Sequence, residues 1–485
     1  MLPLDAADLQ RDAREHLMLH FTDMSVYADK NIPIYVRGDG AHLYDADGRR
    51  YIDGLSGLFC TNLGHSYGAE IGAAAADQLS QLVFTPNWYV AHPAAIALAT
   101  KLAELAPGDL NRVFFTSGGG DANEAAYKLA RQWHAHNGEP QRHKVISRRI
   151  SYHGTTLGAL SFTGLAGAKT PFAPAAVPVH FVSNTNAFRH PLGDDEDAFC
   201  AALLTELEEA ILFEGEDTIA MMIAEPVQNS GGCFTPPRGY WAGVREICDR
   251  YGILLLSDEV ITGFGRVGEW FGAVKYGFQP DLITFAKGVT AAHGPMGGVI
   301  VSERVAAPFV TGDETFMHGL TFGGHPAICA MALKTIEIIE RDDVLGNVRR
   351  NEPLMREMLD TLREIPIVGD IRGAGHFWAI ELVKDQASKE TFEGEEADWL
   401  LRQVLSEDLV NAGLLCRLDD RGDPVVQLSP PLICDMELFA EIVGIVKAAL
   451  RKAARLVAAN VYADGARILE SGRGRPTPAG KRAAA

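Results

Sequence analysis

Two stretches decide the fold: Gly252–Val260 reads GILLLSDEV, and Asp281–Thr290 reads DLITFAKGVT. Each places a run of apolar residues directly before one ionisable side chain, Asp258 in the first and Lys287 in the second. Short apolar runs of this kind are typical of strands buried in a parallel sheet. Because α/β proteins bind ligands at the carboxyl ends of such strands, both side chains are predicted to lie at the ligand-binding edge of one sheet.

The chain around these two strands follows the same pattern. From about Ala74 to Ile283, helical stretches alternate with short apolar runs, which predicts βαβ units and a mostly parallel sheet. An Asp47-Gly48 turn between two alternating runs predicts an antiparallel hairpin before them. We therefore expect an α/β chain with the following division: an N-terminal segment of a small domain at 1–73, a large domain at 74–330, the C-terminal part of the small domain at 331–465, and a disordered tail at 466–485.

Composition narrows the possible partners. The 485 residues carry 63 acidic against 44 basic side chains, a formal net charge of -19, so a surface for nucleic acid is not expected. Seven scattered cysteines without a Cys-x-x-Cys pair favour a reducing, cytoplasmic location. No export signal is expected, because the first residues have no apolar run of secretory type. Polar residues and prolines interrupt the longest charge-free stretch, so no membrane association is expected either. No metal site is expected either, because the nearby histidines lack ligand spacing: His134, His136 and His143.

A glycine run marks a third candidate position. Thr116–Glu124 reads TSGGGDANE, directly after a strand-like segment and directly before a helical one. Backbone N–H groups at such a helix N-terminus can close on a phosphate, although an ordinary glycine-rich turn, capped by Ser117 or Asp121, would look the same. The run is neither a Walker loop nor a G-x-G-x-x-G, which disfavours an NAD- or ATP-dependent enzyme.

Asp258 and Lys287 could each also have a purely structural role. Asp258 could be a cap or part of an ion pair, and Lys287 could be a surface lysine that ends a strand. In combination, however, a phosphate nest, a carboxylate that can pair with a ring nitrogen, and a desolvated lysine amine are the parts that hold pyridoxal 5'-phosphate.

The sequence resembles the class III aminotransferases of fold type I, specifically their omega-amino acid or amine:pyruvate branch, which includes beta-alanine:pyruvate transaminases. The resemblance covers about His20 to Ala449. It rests on ordered motifs: YIDGLSGLFCTNLGH from Tyr51, FFTSGGGDANEAAYKLAR from Phe114, SYHGTT from Ser151, IAEPVQNSGG from Ile223, LLSDEVITGFGR from Leu255, ITFAKG from Ile283, HGLTFGGHP from His318 and LSPPL from Leu428. The resemblance implies a large domain whose mostly parallel mixed sheet is flanked by helices, and a smaller α+β domain built from the N- and C-terminal segments.

The resemblance also implies how the cofactor is held. Lys287 would bind the aldehyde of pyridoxal phosphate and then carry the substrate proton, and Asp258 would keep the pyridine nitrogen protonated. The other implied contacts are stacking from Tyr152, packing from Val260 on the opposite ring face, a place near the phenolic oxygen for Glu225, and phosphate contacts from the amides of Gly119 and Gly120 and from Thr321 of a neighbouring subunit. Since the site is shared, a homodimer or a tetramer built from dimers is implied.

Two positions depart from the family pattern. Where the family usually has Ser-Gly-Ser, this chain has Gly118, Gly119 and Gly120, so a hydroxyl to the phosphate is lost and weaker cofactor retention is expected. Phe59 stands where the family usually has tryptophan, which keeps an apolar wall without the indole N–H.

Substrate selection is expected around Arg417. The resemblance makes it a mobile arginine that grips a substrate carboxylate, and a salt bridge to Asp419 or Asp420 is the alternative. For donors with an apolar group, Arg417 would swing out and leave a pocket lined by Phe59, Trp88 and Tyr152. Simple core packing is the alternative for Phe59 and Trp88.

The expected reaction is a ping-pong exchange. An omega-amino acid or primary amine leaves its nitrogen on the cofactor as pyridoxamine phosphate, and a keto acid such as pyruvate takes it. Sister activities use the same apparatus: transamination of ornithine, 4-aminobutyrate or a diaminopelargonate precursor, or an aminomutase reaction. A catalytically silent scaffold on this fold is the alternative of a different class, and the presence of Lys287, Asp258 and Thr321 disfavours it.

Overall fold

The computed structural model describes residues 5–459, so the predicted tail at 466–485 lies outside the described residues. The strands of the described part form three sheets. In chain order they are β1 (Tyr35–Asp39), β2 (His42–Asp45), β3 (Arg50–Asp53), β4 (Leu110–Thr116), β5 (Lys144–Arg148), β6 (Val179–Val182), β7 (Ile219–Ala224), β8 (Leu254–Asp258), β9 (Leu282–Phe285), β10 (Gly297–Ser302), β11 (Val368–Ala374), β12 (Phe377–Leu382), β13 (Leu414–Leu415), β14 (Arg417–Asp419) and β15 (Val425–Leu428).

From β4 to β9, at least one helix separates each strand from the next, as the alternating pattern predicts. In chain order they are α1 (Ala6–His16), α2 (Ser56–Phe59), α3 (Gly68–Gln81), α4 (Pro93–Leu105), α5 (Gly119–His136), α6 (Leu157–Phe162), α7 (Ala166–Lys169), α8 (Glu196–Glu214), α9 (Tyr240–Tyr251), α10 (Gly272–Lys275), α11 (Glu303–Val310), α12 (Pro326–Arg341), α13 (Val344–Asp360), α14 (Glu395–Asp398), α15 (Ser406–Asn411) and α16 (Met436–Ala458). A π-helical segment spans Trp399–Leu405, and short 3-10 turns include Lys287–Thr290.

The central sheet has seven strands in the order β4-β10-β9-β8-β7-β5-β6. All neighbours are parallel except β10, which runs antiparallel to both β4 and β9. The prediction of an α/β fold with a mostly parallel mixed sheet is confirmed. The glycine run and Lys287 do not follow neighbouring strands, however, because the chain returns after Lys287 and inserts β10 between β9 and β4.

Both faces of this sheet are covered by helices, and the alternation of side chains along a strand explains why. Leu254 and Leu256 of β8 pack in one apolar cluster with residues of α5, whereas Leu255 packs in another with residues of α8 and α9. Each buried leucine stabilises the fold by about 2 kcal/mol. A strand that is apolar on both faces therefore fixes helix layers on both sides, and leaves only its end for polar residues such as Asp258.

The N- and C-terminal parts of the described chain share a sheet. The predicted hairpin forms with His42 paired to Ile52, and Gly48 has a φ of 81° in its turn. Its second strand β3 pairs in parallel with β13, through Leu414 and Ile52. A further sheet, β11-β12-β15-β14, carries Arg417 on its edge strand. The domain limits proposed from the sequence stay a prediction.

Residues 5–459 contain no helix that is both long and apolar enough to span a membrane. Over the same residues there is no group of three or more His, Cys, Asp or Glu side chains arranged to hold a metal ion. His134 is buried instead between the carbonyl of Ala220 and the carboxylate of Glu139. The seven cysteines are all free.

Candidate active site

One cavity of about 470 Å³ opens at the carboxyl ends of the central strands. It brings together most of the positions that the sequence predicts for a cofactor site. These lining residues are Gly119, Gly120, Tyr152, Glu225, Asp258, Val260 and Lys287.

The Asp258 carboxylate ends β8 and is almost fully buried. Its Oδ2 accepts hydrogen bonds from His153 Nδ1 at 2.6 Å and from Asn123 Nδ2 at 3.0 Å, and its Oδ1 accepts one from the backbone N–H of Val260 at 3.1 Å. Burial alone would raise the pKa of Asp258, but the hydrogen bonds and the charge of His153 outweigh it, and the pKa lies below its ordinary value. A carboxylate held ionised in this way is suited to pair with a cationic ring nitrogen.

Lys287 follows β9 and enters the cavity from the first residue of a 3-10 turn. Its φ of 47° lies in the left-handed region, which residues other than glycine seldom adopt. Burial lowers the pKa of its amine, while the charge of Asp258 partly opposes that shift. A lysine that loses its proton more readily is the better nucleophile toward an aldehyde.

The glycine run forms the N-terminus of α5. Gly118 is the N-cap in an extended conformation, and no side chain caps the helix, so the caps expected from Ser117 or Asp121 are not made. The first N–H groups of a helix have no hydrogen-bond partner within it and form the positive end of its dipole. In this 18-residue helix, that end lies at the cavity wall. A Cβ on Gly119 would lie 3.0 Å from the methyl groups of Val260, so only glycine fits this wall without displacement.

Glu225 forms the far side of the cavity and is buried. Its Oε1 accepts a hydrogen bond from the backbone N–H of Tyr152 at 3.3 Å, and its Oε2 accepts one from the fully buried Arg148 at 3.4 Å. His153 Nε2 lies 4.0 Å from the same Oε2. The imidazole of His153 therefore stands between the two carboxylates of the site.

These donors and acceptors fit pyridoxal phosphate. The unpaired helix N–H groups match a phosphate, the ionised Asp258 matches a protonated ring nitrogen, and the Lys287 amine matches an aldehyde. The cavity volume suits a ligand of this size.

The other predicted residues lie outside this cavity in the single chain. Phe59 is buried and packs edge-on against Phe377, and Arg417 lies 5.8 Å from the Phe59 ring while lining a separate cavity of about 370 Å³. Trp88 is half-exposed and lines a third cavity of about 680 Å³. Thr321 is exposed. Their roles stay predictions.

Two residues that contact Asp258 in the site, Asn123 and His153, were not predicted from the sequence. Asn123 joins Asp258 to the carbonyl of His153 and to Thr284, and it lies within the quoted glycine motif. His153 lies within SYHGTT, where only Tyr152 was assigned a role. A polar residue four positions after Gly119 on a helix lies on the same face as Gly119, and that spacing could have indicated Asn123.

Comparisons with known proteins identify the family of this chain. The chain matches the family Aminotransferase class-III over residues 24–450. A probable aminotransferase of Mycobacterium tuberculosis is 49% identical over 94% of this chain and 97% of its own length, and a putrescine–pyruvate aminotransferase of Pseudomonas aeruginosa is 36% identical over 92% and 96%. The solved structure of an (S)-enantioselective omega-transaminase from Thermomicrobium roseum superposes with a TM-score of 0.88 at 38% identity, covering 93% of this chain and 99% of that one.

The fold and the cavity fit an enzyme that uses pyridoxal phosphate. The chain belongs to the class III aminotransferases, which depend on pyridoxal phosphate. The family expected from the sequence is thereby confirmed.

The glycine run leads to a prediction about cofactor retention. At Gly120 a Cβ would lie 3.5 Å from Thr156 Oγ1, an ordinary contact, so Gly120→Ser should fold and add a hydroxyl beside the phosphate. We expect the dissociation constant for pyridoxal phosphate to fall roughly fivefold, as for one added charge-assisted hydrogen bond. Titration of the apoprotein, followed by cofactor absorbance, measures it. Gly119→Ser is the control and should bind no better, because its Cβ would press on Val260.

A second prediction concerns the pH dependence. In His153→Gln, Asp258 loses the partner that lowers its pKa most while its burial remains, so that pKa should rise. Since the ionised form is present only above the pKa, the acidic limb of the kcat/KM profile should move to higher pH, with about a tenfold loss at neutral pH. His180→Gln removes a comparable histidine–carboxylate bond, to Glu214, outside the cavity and should leave the profile unchanged. An unmoved acidic limb in His153→Gln would contradict the assignment.

Proposed function

We propose that this aminotransferase moves an amino group from an omega-amino acid or a primary amine to pyruvate. The observation that carries the proposal is the joint presence of Lys287, Asp258 and an uncapped helix N-terminus in one cavity. The relatives support the choice of branch, since one is named for putrescine and pyruvate and a similar structure is named an omega-transaminase.

Each cavity residue has a separate role in the proposed reaction. When bound, pyridoxal phosphate supplies an electron-accepting ring that lets the substrate carbon beside the nitrogen lose its proton. Lys287 Nζ would take and return that proton, Asp258 would keep the ring nitrogen protonated, and Tyr152 and Val260 would confine the ring between them. Glu225 would lie near the phenolic oxygen, and the amides of Gly119 and Gly120 would hold the phosphate.

Arg417 selects substrates by charge in this proposal. Its side chain is 26% exposed, and the Phe59 ring lies beside its guanidinium. A planar guanidinium pairs bidentately with a carboxylate such as that of pyruvate or beta-alanine. For a donor without a carboxylate, Arg417 withdraws and apolar side chains contact the substrate: Phe59, Trp88 and Tyr152.

The proposal includes a homodimer, or a tetramer of dimers, in the cytoplasm. Large apolar side chains are exposed around the predicted intersubunit residue Thr321: Trp88, Tyr89, Val90, Ile96, Met317 and Phe322. Such a patch is typical of an interface between protein chains. The seven free cysteines agree with a reducing compartment.

The activity is tested by half-reactions. The visible band of the bound cofactor should bleach on addition of beta-alanine or 1-phenylethylamine and return with pyruvate. Lys287→Ala should lose the band of the lysine-bound form and lower turnover by at least about a thousandfold. Bleaching by ornithine or 4-aminobutyrate alone would move the protein to a sister branch, and unchanged turnover in Lys287→Ala would refute the proposal.

A shared active site is tested by mixing two defective subunits. Lys287→Ala and Thr321→Asp should each be inactive as homodimers, whereas coexpression should restore about a quarter of the activity, because each hybrid dimer keeps one intact site. Coexpression of Lys287→Ala with Asp258→Asn is the control and should restore nothing, since both residues serve the same subunit's cavity. Absence of recovery in the first pair, with dimers shown by light scattering, would contradict the shared site.

A further inference from the structure

A second arginine shares the carboxylate beside Arg417. Asp419 ends β14 with only 1% of its side chain exposed. Arg421 Nε lies 2.9 Å from Asp419 Oδ1 and 3.0 Å from its Oδ2, Arg421 Nη2 also donates to Oδ2, and the backbone N–H of Arg421 donates to Oδ1 at 2.9 Å. Arg421 therefore binds both oxygens of this carboxylate.

Arg417 contacts the same carboxylate much more loosely. Its only ion pair among the described residues is from Nε to Asp419 Oδ2, at 3.6 Å. Positions 417 and 419 are two apart on one strand, so their side chains lie on the same face, whereas Asp420 points away and pairs with Arg402. Asp419 is thus the partner of Arg417 when no substrate is bound. Arg421 already satisfies most of the hydrogen-bonding capacity of Asp419.

Arg417 and Arg421 compete for the carboxylate of Asp419 and repel each other. A buried carboxylate with no other partner would hold Arg417 strongly, because little water screens the charge pair. Arg421 weakens that hold in two ways, by neutralising Asp419 and by repelling the guanidinium of Arg417. The balance leaves Arg417 attached by one long contact that a substrate carboxylate can replace.

We propose that the Asp419–Arg421 pair sets how readily Arg417 leaves its resting place for a substrate carboxylate, and so sets the preference between carboxylate-bearing and apolar substrates. The proposal rests on the proposed function, in which Arg417 grips the carboxylate. Asp419 and Arg421 are positioning residues, since they act on the substrate through Arg417.

The proposal predicts opposite effects from two substitutions. Arg421→Gln leaves Asp419 free to hold Arg417, so the KM for pyruvate should rise roughly fivefold. Asp419→Asn removes the holding charge while keeping the side-chain shape, so the KM for pyruvate should fall and the KM for 1-phenylethylamine should rise. The kcat with saturating substrates should change less than either KM.

Two further variants control for charge and folding. Arg402→Gln also removes one positive charge, from the wall of the cavity that Arg417 lines, but its partners Asp398 and Asp420 are 59% and 32% exposed, so water screens them and KM for pyruvate should not change. Arg421→Lys keeps the charge without the forked contact and should fall between wild type and Arg421→Gln. Melting temperatures establish that each variant is folded.

Opposite shifts of KM for pyruvate in Arg421→Gln and Asp419→Asn would support the proposal, because a merely structural loss would move both in the same direction. Shifts of the same sign, or an effect of Arg402→Gln equal to that of Arg421→Gln, would overturn it. Arg417→Ala separates this result from the proposed function. If Arg417→Ala raises the KM for pyruvate while Arg421→Gln does not, only the positioning role fails; if no amine bleaches the wild-type cofactor band, the proposed function itself fails.

Discussion

The active site depends on how one buried carboxylate is paired. An isolated charge at the position of Asp258 would cost several kcal/mol, so its oxygens must be matched by donors. The donors come from different elements: Asn123 from α5, one turn after the glycine run, and His153 from the loop after β5 that also carries Tyr152. Pairing Asp258 thereby fixes the N-terminus of α5 and the loop that carries Tyr152 relative to β8.

A buried cation, Arg266, holds together segments from the N-terminal and C-terminal parts of the chain. Arg266 has no exposed surface and donates to the carbonyls of Pro430 and His376 and to the side chains of Asn62 and Ser56. Burial lowers its pKa to about 10, so it stays charged at neutral pH. Because Pro430 follows β15, and β14 pairs with β15, the strand that carries Arg417 is tied to the same centre.

The sequence predicts the large features of this fold because they follow from periodicity. Strands that are apolar on both faces end in Asp258 or precede Lys287, and that alone places both residues at one sheet edge. The direction and the position of β10 in the sheet could not be predicted. An apolar run such as Val299–Val301 does not indicate which strands it will pair with. The contact of His153 with Asp258 was not predicted, because the sequence SYHGTT alone does not show which of its side chains points toward the sheet. Asp419, by contrast, could have been chosen over Asp420 as the partner of Arg417, since only 417 and 419 share a strand face.

Under the proposed function, the electrostatics of the site separate substrate selection at Arg417 from proton transfer at Lys287. Burial is the largest cause of the lowered pKa of Lys287, and the charge of Arg417 contributes only after it and after the opposing effect of Asp258. A carboxylate that pairs with Arg417 cancels the contribution of that arginine but does not expose the lysine. Under the proposed function, burial therefore keeps the pKa of Lys287 low whether Arg417 rests on Asp419 or binds substrate. One lysine would then serve both charged and apolar amines.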